Sequence, residues 1–369
     1  MKLRDYQLEA LRAWKGSGER GVVVMPTGTG KTYVALAAIR EELQRGGSVA
    51  VIVPTIVLAH QWKQKLREVG VACALYYGEE KALGRVTVFV LNSAFLNMRL
   101  LNHFSLIVID EVHHLNTENG WGRLLDHLSG KRVLGLTATP DPRVRLKVAY
   151  RLGVAAARAR GALSDVQVIP YVVSLTPSER ARLSRIEDEL RRVARALEHA
   201  RHRNPALAAE LEHRLKVLAN RRKQLMSEVE AKKDAVLEIA RSHPGERVLV
   251  FCESIRGAEG IRRHLVEHGV RAAVYHSKLN GRGRAVLSEW GKSYQVLVAV
   301  RALDEGVDVP ECGTGVIVAT GKSDRQLIQR IGRVLRFQPG KVARIYVVVG
   351  GGTYEVSILA KIRRLVHAS

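Results

Sequence analysis

The sequence predicts an α/β fold: two tandem parallel-sheet domains with an α-helical hairpin inserted between them. Short β-branched runs alternate with helical patterns from Gly21 to Leu136, and the same rhythm returns from Arg247 onwards. Between these stretches, leucines recur at steps of three and four residues, which is typical of packed helices. The predicted divisions are residues 1–165 for the first domain, 166–245 for a linker strand and the hairpin, and 246–369 for the second domain.

The composition indicates a folded, strongly basic protein. The chain has 369 residues, of which 46% are hydrophobic, enough for two or three domains with their own cores. Lys and Arg total 59 against 36 acidic residues, and the net charge of +23 favours a polyanionic partner such as nucleic acid.

Cysteine usage and hydropathy limit the environment of the protein. Cys73, Cys252 and Cys312 are far apart and form no CxxC pair, which predicts a reducing compartment and disfavours zinc or an iron–sulfur cluster. No apolar run approaches ~18 residues, and the opening MKLRDYQLEAL is charged and amphipathic. We therefore expect a soluble, cytoplasmic protein without a membrane partner. A monomer is expected as the oligomeric state.

Apolar runs bounded by glycine or polar residues are the predicted strands, since each is short and β-branched. In the first domain they are residues 21–25, 48–53, 72–77, 86–91, 105–110 and 132–136. In the second domain they are residues 247–251, 271–276, 294–300, 315–319 and 343–349.

The stretch MPTGTGKT, from Met25 to Thr32, follows the first of these strands and precedes a helical pattern. Such a position suits a polyphosphate, because backbone N–H groups and the positive end of the helix dipole face one concavity. Glycines allow close backbone approach, Lys31 can place its charge on the outer phosphates, and the Thr32 hydroxyl can hold Mg²⁺. The predicted nucleotide-binding residues here are Pro26, Thr27, Gly28, Thr29, Gly30, Lys31 and Thr32.

A pair of carboxylates ends the predicted strand SLIVID. Asp110 stands where a parallel strand reaches its carboxyl end, the position at which a nucleotide hydrolase needs a magnesium ligand. Glu111 can orient the attacking water or accept its proton. The following pair, His113 and His114, has no third metal ligand at suitable spacing, so we expect a coupling role for His113 rather than a metal site.

The segment between the domains predicts an antiparallel helical hairpin. In LTPSER, Thr176 and Glu179 form a capping box at the start of the first arm. Asn204–Pro205 breaks the pattern between the arms. The second arm is predicted to end near His243–Pro244–Gly245, with Arg222 and Lys232 interrupting its apolar seam. A rigid spacer and a nucleic-acid contact are equally compatible with this hairpin.

In their order along the chain, these motifs resemble those of superfamily 2 helicases. MPTGTGKT, DEVH and TAT resemble motifs I, II and III, while VPTIVLAHQW, VFCES, ALDEGVDVP and QLIQRIGRVLR resemble motifs Ia, IV, V and VI. RDYQLEAL resembles the upstream segment, in which Gln7 would read adenine beside Arg4. The resemblance implies two RecA-like domains, ATP and Mg²⁺ as cofactors, and a nucleic-acid-dependent ATPase.

The second domain supplies a further set of residues by this resemblance. Arg333 and Arg336 lie one helical turn apart and can present two guanidinium groups to the transferred phosphate. Gln329 and Arg330 beside them are expected to sense the γ-phosphate. Asp308, with Gly306 in the same motif, is expected to approach the ribose or the opposed loop. Closure of the two domains on ATP would then become motion along a strand.

The family motifs also predict coupling and strand-contacting residues. Coupling is assigned to His113, Thr137 and Thr139, and strand contacts to Pro54, Thr55, Gln61, Ser93, Arg301 and Thr320. In motif V the family usually has Ser or Thr where this chain has Ala299 or Val300, and Arg301 is expected to replace that contact electrostatically.

DEVHHL, LDEGVDVP and LRDYQ most closely resemble the XPB-type DNA helicases. This implies single-stranded or junction DNA as partner, 3′ to 5′ polarity, and a role in repair or transcription. Two departures are expected: the chain begins at the motor, without an upstream damage-recognition domain, and DPRVRLK follows TATP where those proteins carry Arg-Glu-Asp.

Three other functions compete with a DNA helicase. An RNA helicase is disfavoured because the DEAD sequence and its glutamine motif are absent. A DNA-binding motor subunit could act with a nuclease or repair partner without unwinding DNA by itself. An intrinsic nuclease would need an acidic residue upstream of Glu230 and Lys232, and none is suitably placed.

Overall fold

The computed structural model describes residues 2–116, 120–201, 203–276, 279, 283–300, 312–318 and 342–367. Several predicted site residues lie outside these ranges and stay predictions: Arg301, Gly306, Asp308, Thr320, Gln329, Arg330, Arg333 and Arg336. No helix among the described residues is long and apolar enough to cross a membrane.

The first domain is an eight-stranded sheet, parallel except at one edge, with helices on its faces. Its strands are β1 (Arg20–Val24), β2 (Val49–Val53), β3 (Ala74–Tyr77), β4 (Glu80–Lys81), β5 (Val86–Val90), β6 (Leu106–Asp110), β7 (Arg132–Thr137) and β8 (Val148–Arg151). Their order is β4-β3-β5-β2-β6-β7-β1-β8, with only β4 antiparallel to its neighbour. The helices are α1 (Asp5–Gly16), α2 (Lys31–Gln44), α3 (Ile56–Glu68), α4 (Leu91–Leu96), α5 (Arg123–His127) and α6 (Val154–Ala159).

The second domain contains a six-stranded, wholly parallel sheet. Its strands are β9 (Asp165–Val173), β10 (Val248–Cys252), β11 (Ala272–Tyr275), β12 (Val296–Val300), β13 (Thr314–Ile317) and β14 (Val342–Gly350), in the order β11-β12-β10-β13-β14-β9. All predicted strands are present in the two sheets. Their central strands are fully buried, as expected for sheets covered on both faces.

The predicted hairpin is present as two long helices, α7 (Pro177–Ala200) and α8 (Pro205–Ser227). The capping box is confirmed: the Glu179 amide donates to Thr176 Oγ1, and the Thr176 amide donates to the Glu179 carboxylate. The break at Asn204 is also confirmed, because its side-chain oxygen accepts from the Leu207 amide and caps α8.

The second arm is shorter than predicted. It ends at Ser227, whose hydroxyl donates to the Gln224 carbonyl, and a separate helix, α9 (Glu230–Ser242), follows. Leucine periodicity continues from α8 into α9 because α9 also buries an apolar face, but against the second sheet. The remaining helices are α10 (Ile255–Glu267), α11 (Gly283–Glu289) and α12 (Val356–His367).

Residues 166–245 therefore do not form one structural unit. The linker strand within them is β9, which pairs in parallel with β14 along its whole length, from Asp165 to Val173. As an edge strand β9 tolerates Pro170, which cannot donate a ladder hydrogen bond. Both β9 and α9 thus belong with the second sheet, and α7 and α8 alone project as the hairpin.

Candidate functional site

The predicted phosphate loop lies between β1 and α2, as its sequence requires. Gly28 and Gly30 have φ values of 89° and 80°, a backbone region that L-residues rarely adopt. At Gly30 a Cβ atom would come within 2.5 Å of the Gln7 amide nitrogen. The loop therefore needs glycine at this position for both its conformation and its packing.

Helix α1 holds the loop from behind. The Gln7 side-chain amide donates to the Thr29 carbonyl at 2.9 Å, and the Tyr6 hydroxyl donates to the same carbonyl at 3.2 Å. The Gln7 side-chain oxygen accepts from the Arg4 amide at 3.0 Å, while the Arg4 guanidinium reaches the Gly161 carbonyl. Gln7 thus positions the phosphate loop, and its predicted contact with adenine stays a prediction. The sequence analysis did not select Tyr6, because an aromatic residue in a helical pattern is usually part of the core.

Lys31 begins α2 and turns its ammonium back over the loop. Nζ donates to the Met25 carbonyl at 3.0 Å and approaches the Pro26 carbonyl at 3.4 Å. Burial lowers the pKa of Lys31, and the negative charges of Glu111 and Asp110 act in the opposite direction. The lysine predicted for the phosphates and the two predicted carboxylates therefore share one electrostatic environment.

Asp110 ends β6 and is held by a residue that the sequence analysis did not select. Trp62, on α3, donates its indole N–H to Asp110 Oδ2 at 2.8 Å, and the Glu111 amide donates to Oδ1 at 3.1 Å. Trp62 is almost fully buried. Burial, together with the neighbouring negative charge of Glu111, raises the pKa of Asp110. The indole was missed because nothing local in the sequence pairs α3 with the end of β6.

Glu111 has the left-handed backbone conformation, with φ of 50° and ψ of 49°. A non-glycine residue in this region is held there by its surroundings, at a cost of about 1–3 kcal/mol. Its Oε2 is buried without a hydrogen-bond partner among the described residues. Burial opposes ionisation, but the His113 ring and the Lys31 ammonium outweigh it and lower the pKa of Glu111 to about 2.

The three predicted coupling residues form one buried chain. His113 Nδ1 lies 2.9 Å from Thr137 Oγ1 and 3.3 Å from Glu111 Oε2. The Thr137 hydroxyl donates to the Thr139 carbonyl and accepts from the Thr139 amide. In the ring tautomer with a hydrogen on Nδ1, His113 donates to the Thr137 hydroxyl, which is then free to donate to the Thr139 carbonyl. Strand pairing of β6 with β7 brings these residues together.

The described residues predicted to contact a strand lie on segments following neighbouring strands. Pro54 and Thr55 follow β2, and Ser93 lies in α4, directly after β5, which pairs with β2 in parallel. Thr55 Oγ1 also caps α3 by accepting from the Leu58 amide. Gln61 is half-buried on α3, beside Trp62. Helix α3 therefore carries both Gln61, a predicted nucleic-acid contact, and Trp62, which donates to the carboxylate of Asp110.

The donor set fits a magnesium ion shared with phosphates. Within the described part of the chain, no cluster of three or more His, Cys, Asp or Glu side chains could hold a metal by itself. Mg²⁺ is commonly held by one or two carboxylates together with substrate phosphates and waters, so a single carboxylate suffices. Asp110 is a half-buried carboxylate whose raised pKa reflects the cost of its charge, and a cation would offset that cost.

The chain is similar to known proteins along most of its length. The family described as "Type III restriction enzyme, res subunit" matches residues 1–142, and "Helicase conserved C-terminal domain" matches residues 231–338. The DNA 3′-5′ translocase XPB2 of Sulfurisphaera tokodaii is 29% identical over 370 residues, covering 95% of this chain and 82% of that protein. The putative DNA 3′-5′ helicase Rad25 of Halobacterium salinarum is 28% identical over 370 residues, covering 96% of this chain and 55% of that protein.

A solved structure shows the same fold. The helicase domain of Hef from Pyrococcus furiosus superposes with a TM-score of 0.63 at 19% identity, covering 98% of both chains. Two parallel-sheet domains with a phosphate loop and an Asp-Glu strand end on the first, together with the two family models matched above, define the class, a superfamily 2 helicase core with RecA-like domains. Within that superfamily, the chain is similar along most of its length to the XPB and Rad25 proteins named above, at 28–29% identity.

Proposed function

We propose that the chain is an ATP-dependent DNA motor that couples hydrolysis to movement along DNA or to its unwinding. The observation that carries this proposal is the arrangement of Lys31, Asp110 and Glu111 at the ends of β1 and β6. The negative charges of both carboxylates act on the Lys31 ammonium. One carboxylate oxygen of Glu111 is buried without a hydrogen-bond partner among the described residues. A group held in this way can orient a water molecule on a γ-phosphate.

Each residue then has one task in hydrolysis. The amides of Gly28 to Thr32 cradle the phosphates, and Lys31 places its charge on the outer ones. Asp110 and the Thr32 hydroxyl would hold Mg²⁺, which supplies neutralisation of the developing charge. Glu111 orients the water and takes its proton, and its low pKa keeps it ionised at neutral pH. Arg333 and Arg336 stabilise the transition state from the second domain, with Gln329 and Arg330 sensing the γ-phosphate.

DNA is proposed as the strand because the related proteins named above act on DNA, and because a net charge of +23 favours a polyanion. The names of the same relatives support 3′ to 5′ polarity. We also propose a monomer, a place in the cytoplasm and a role beside a repair or nuclease partner, as expected from the sequence. Contacts through Pro54, Thr55, Gln61 and Ser93 would be mostly to phosphates, so base-sequence preference should be weak.

The test is steady-state ATP hydrolysis by the full chain without nucleic acid, then with single-stranded DNA, duplex DNA and RNA at one fixed salt concentration. We expect stimulation by DNA and little by RNA, followed by strand displacement on a duplex with a 3′ single-stranded tail. Stimulation by RNA alone would mean that the substrate is RNA rather than DNA. Stimulation by DNA without strand displacement would mean that the protein moves along DNA without unwinding it. No hydrolysis under any condition would contradict the proposal.

An Arg333→Ala variant tests the role of the second domain in the same assay. Because the Arg333 guanidinium is proposed to act mainly on the transition state, the rate of turnover should fall far more than the affinity for ATP. Equal losses in turnover and in nucleotide affinity would contradict the assignment.

A further inference from the structure

The carboxyl edge of the second sheet contains a buried ion pair that the proposed hydrolysis does not use. Lys232 is fully buried, and its ammonium donates to Glu355 Oε1 at 2.8 Å, to Glu355 Oε2 at 2.7 Å and to the Val318 carbonyl at 3.0 Å. Glu355 also accepts from the Gly350 amide at 2.9 Å. The hydrogen-bonding capacity of the ammonium is therefore used within the protein, which argues against a nuclease role for Lys232.

The pair joins four elements at one point. Lys232 lies on α9, Glu355 directly precedes α12, Val318 directly follows β13, and Gly350 ends β14. The Val318 amide in turn donates to the Phe251 carbonyl of β10 at 3.2 Å. In open parallel sheets this edge is where ligands bind. In sequence, Val318 is also the residue before the segment 319–341, which contains the predicted arginines.

The hairpin is attached at the same place. On its second arm, the Arg222 guanidinium lies over the ring of Tyr354, 4.0 Å from the centroid, and Tyr354 is the neighbour of Glu355. On its first arm, the Glu179 carboxylate accepts from the Glu230 amide at the start of α9 at 3.2 Å. Arg222 and Lys232 are the residues that interrupt the apolar seam, and both contact the turn that precedes α12.

Apolar packing makes this attachment rigid. Leu183 of α7, with Leu225 and Met226 of α8, belongs to the buried cluster that also contains α9 and the strands of the second sheet. The base of the hairpin is thus part of the core of the second domain, while a separate small cluster around Leu197 and Ala208 holds its distal half. A displacement of the hairpin would be transmitted to the core through its base.

Stability alone does not explain why the pair is ionic. A buried ion pair replaced by apolar residues of similar volume often leaves a protein equally or more stable. Charged hydrogen bonds are instead directional: Lys232 fixes the Val318 carbonyl, and Glu355 fixes the Gly350 amide. These contacts set the position of two strand ends, which an apolar pair could not do.

We propose that Lys232 and Glu355 form a positioning link that connects the helical hairpin to the end of β13. Engagement of DNA by the hairpin would pass through this link to the segment after Val318 and so to hydrolysis. The inference rests on the proposed function, since it assumes that DNA stimulates ATP turnover.

The test compares Lys232→Met with Lys233→Met in the full chain. Lys233 is the next residue on α9 and pairs with the solvent-exposed Glu230. Lys232→Met should lower DNA-stimulated turnover roughly 3- to 30-fold, with DNA affinity and KM for ATP unchanged. Lys233→Met should leave stimulation unchanged. Equal stimulation in Lys232→Met and the wild type would overturn the proposal.

A double variant separates positioning from stability. Lys232→Met with Glu355→Leu removes both charges and should recover thermal stability without recovering stimulation. Full recovery of stimulation would mean that the pair only supports the fold, which would overturn the proposal. The double variant also serves where Lys232→Met does not fold.

Amide hydrogen exchange tests the link without nucleic acid. Arg222→Leu, which removes the contact with Tyr354, should accelerate exchange across residues 312–318, and Lys233→Met should not. Unchanged exchange in Arg222→Leu would overturn the link, whatever the effect of DNA. Absence of DNA stimulation in the wild type, with the exchange result as expected, would instead contradict the proposed function alone.

Discussion

The two sheets have similar plans, yet their carboxyl edges treat buried charge in opposite ways. At the first sheet, and within the described part of the chain, Lys31 donates to the Met25 and Pro26 carbonyls of its own loop and a Glu111 oxygen has no hydrogen-bond partner. At the second sheet, Lys232 and Glu355 are buried against each other and bonded to two strand ends.

The difference teaches how one architecture serves two purposes. The lowered pKa of Lys31 means that its charge is costly in the protein alone, and the phosphates of a nucleotide would supply the opposite charge. Charges that are fully paired inside the protein contribute nothing to ligand binding and instead fix the positions of the elements they join. The first edge is therefore suited to chemistry, and the second to transmitting position.

Removing the lysine at the first edge should have the largest effect on activity. Lys31→Ala should lower ATP turnover on the order of 10²- to 10³-fold, because a charge on the outer phosphates is lost. Since burial lowers the pKa of Lys31, its charge costs stability without nucleotide. The thermal midpoint of the nucleotide-free variant should therefore equal or exceed that of the wild type, measured by calorimetry. A large drop in the midpoint would contradict the contrast drawn between the edges.

Removing the lysine at the second edge should have its main effect on stability. Lys232→Met leaves the buried Glu355 carboxylate without its partner, and breaking a buried pair in this way costs about 3–5 kcal/mol. Urea unfolding measures the loss, with Lys233→Met as a control expected to stay within about 0.5 kcal/mol. Equal stability in the two variants would show that the ion pair does not hold the strand ends of the second sheet in place.

The indole of Trp62 should matter for activity because it donates to the predicted magnesium ligand Asp110. Trp62→Phe removes the N–H that orients Asp110 but keeps the aromatic ring, and loss of such a partner typically costs about 10- to 100-fold in metal affinity or activity. Magnesium titrations of ATP turnover measure it. Trp14→Phe is the matched control, because that indole donates to the Val133 carbonyl in the core. Similar losses of turnover in both variants would contradict a specific role of the Trp62 indole in orienting Asp110.

The smallest effect concerns the pH dependence of nucleotide binding. Lys31 has a lowered pKa in the protein alone, and phosphates would raise it again. Nucleotide binding should therefore take up a proton above the pKa of the free protein, so affinity should fall severalfold as pH rises towards the usual lysine pKa. Calorimetry in two buffers of different ionisation enthalpy detects the uptake. An Asp110→Asn variant should still show it, and its absence from the wild type would contradict the shift.

Much of the fold follows from local patterns in the sequence. Short β-branched runs specified the buried strands, MPTGTGKT specified a phosphate loop between β1 and α2, and Thr176 with Glu179 specified the start of α7. Each of these signals acts over a few residues, through backbone conformation, side-chain branching and capping. The candidate catalytic pair Asp110 and Glu111 was found in the same way, from its position at the end of a strand.

Only the tertiary structure decided which buried groups meet. Trp62 and Asp110, and Lys232 and Glu355, are far apart in the chain, and no local pattern pairs them. The same holds for β9, which joins the second sheet although it follows the first domain, and for α9, whose apolar period continues that of α8. Local preferences fix the elements, but the partners of buried polar groups are set by how those elements pack, because a desolvated donor or charge must find its partner wherever the fold places one.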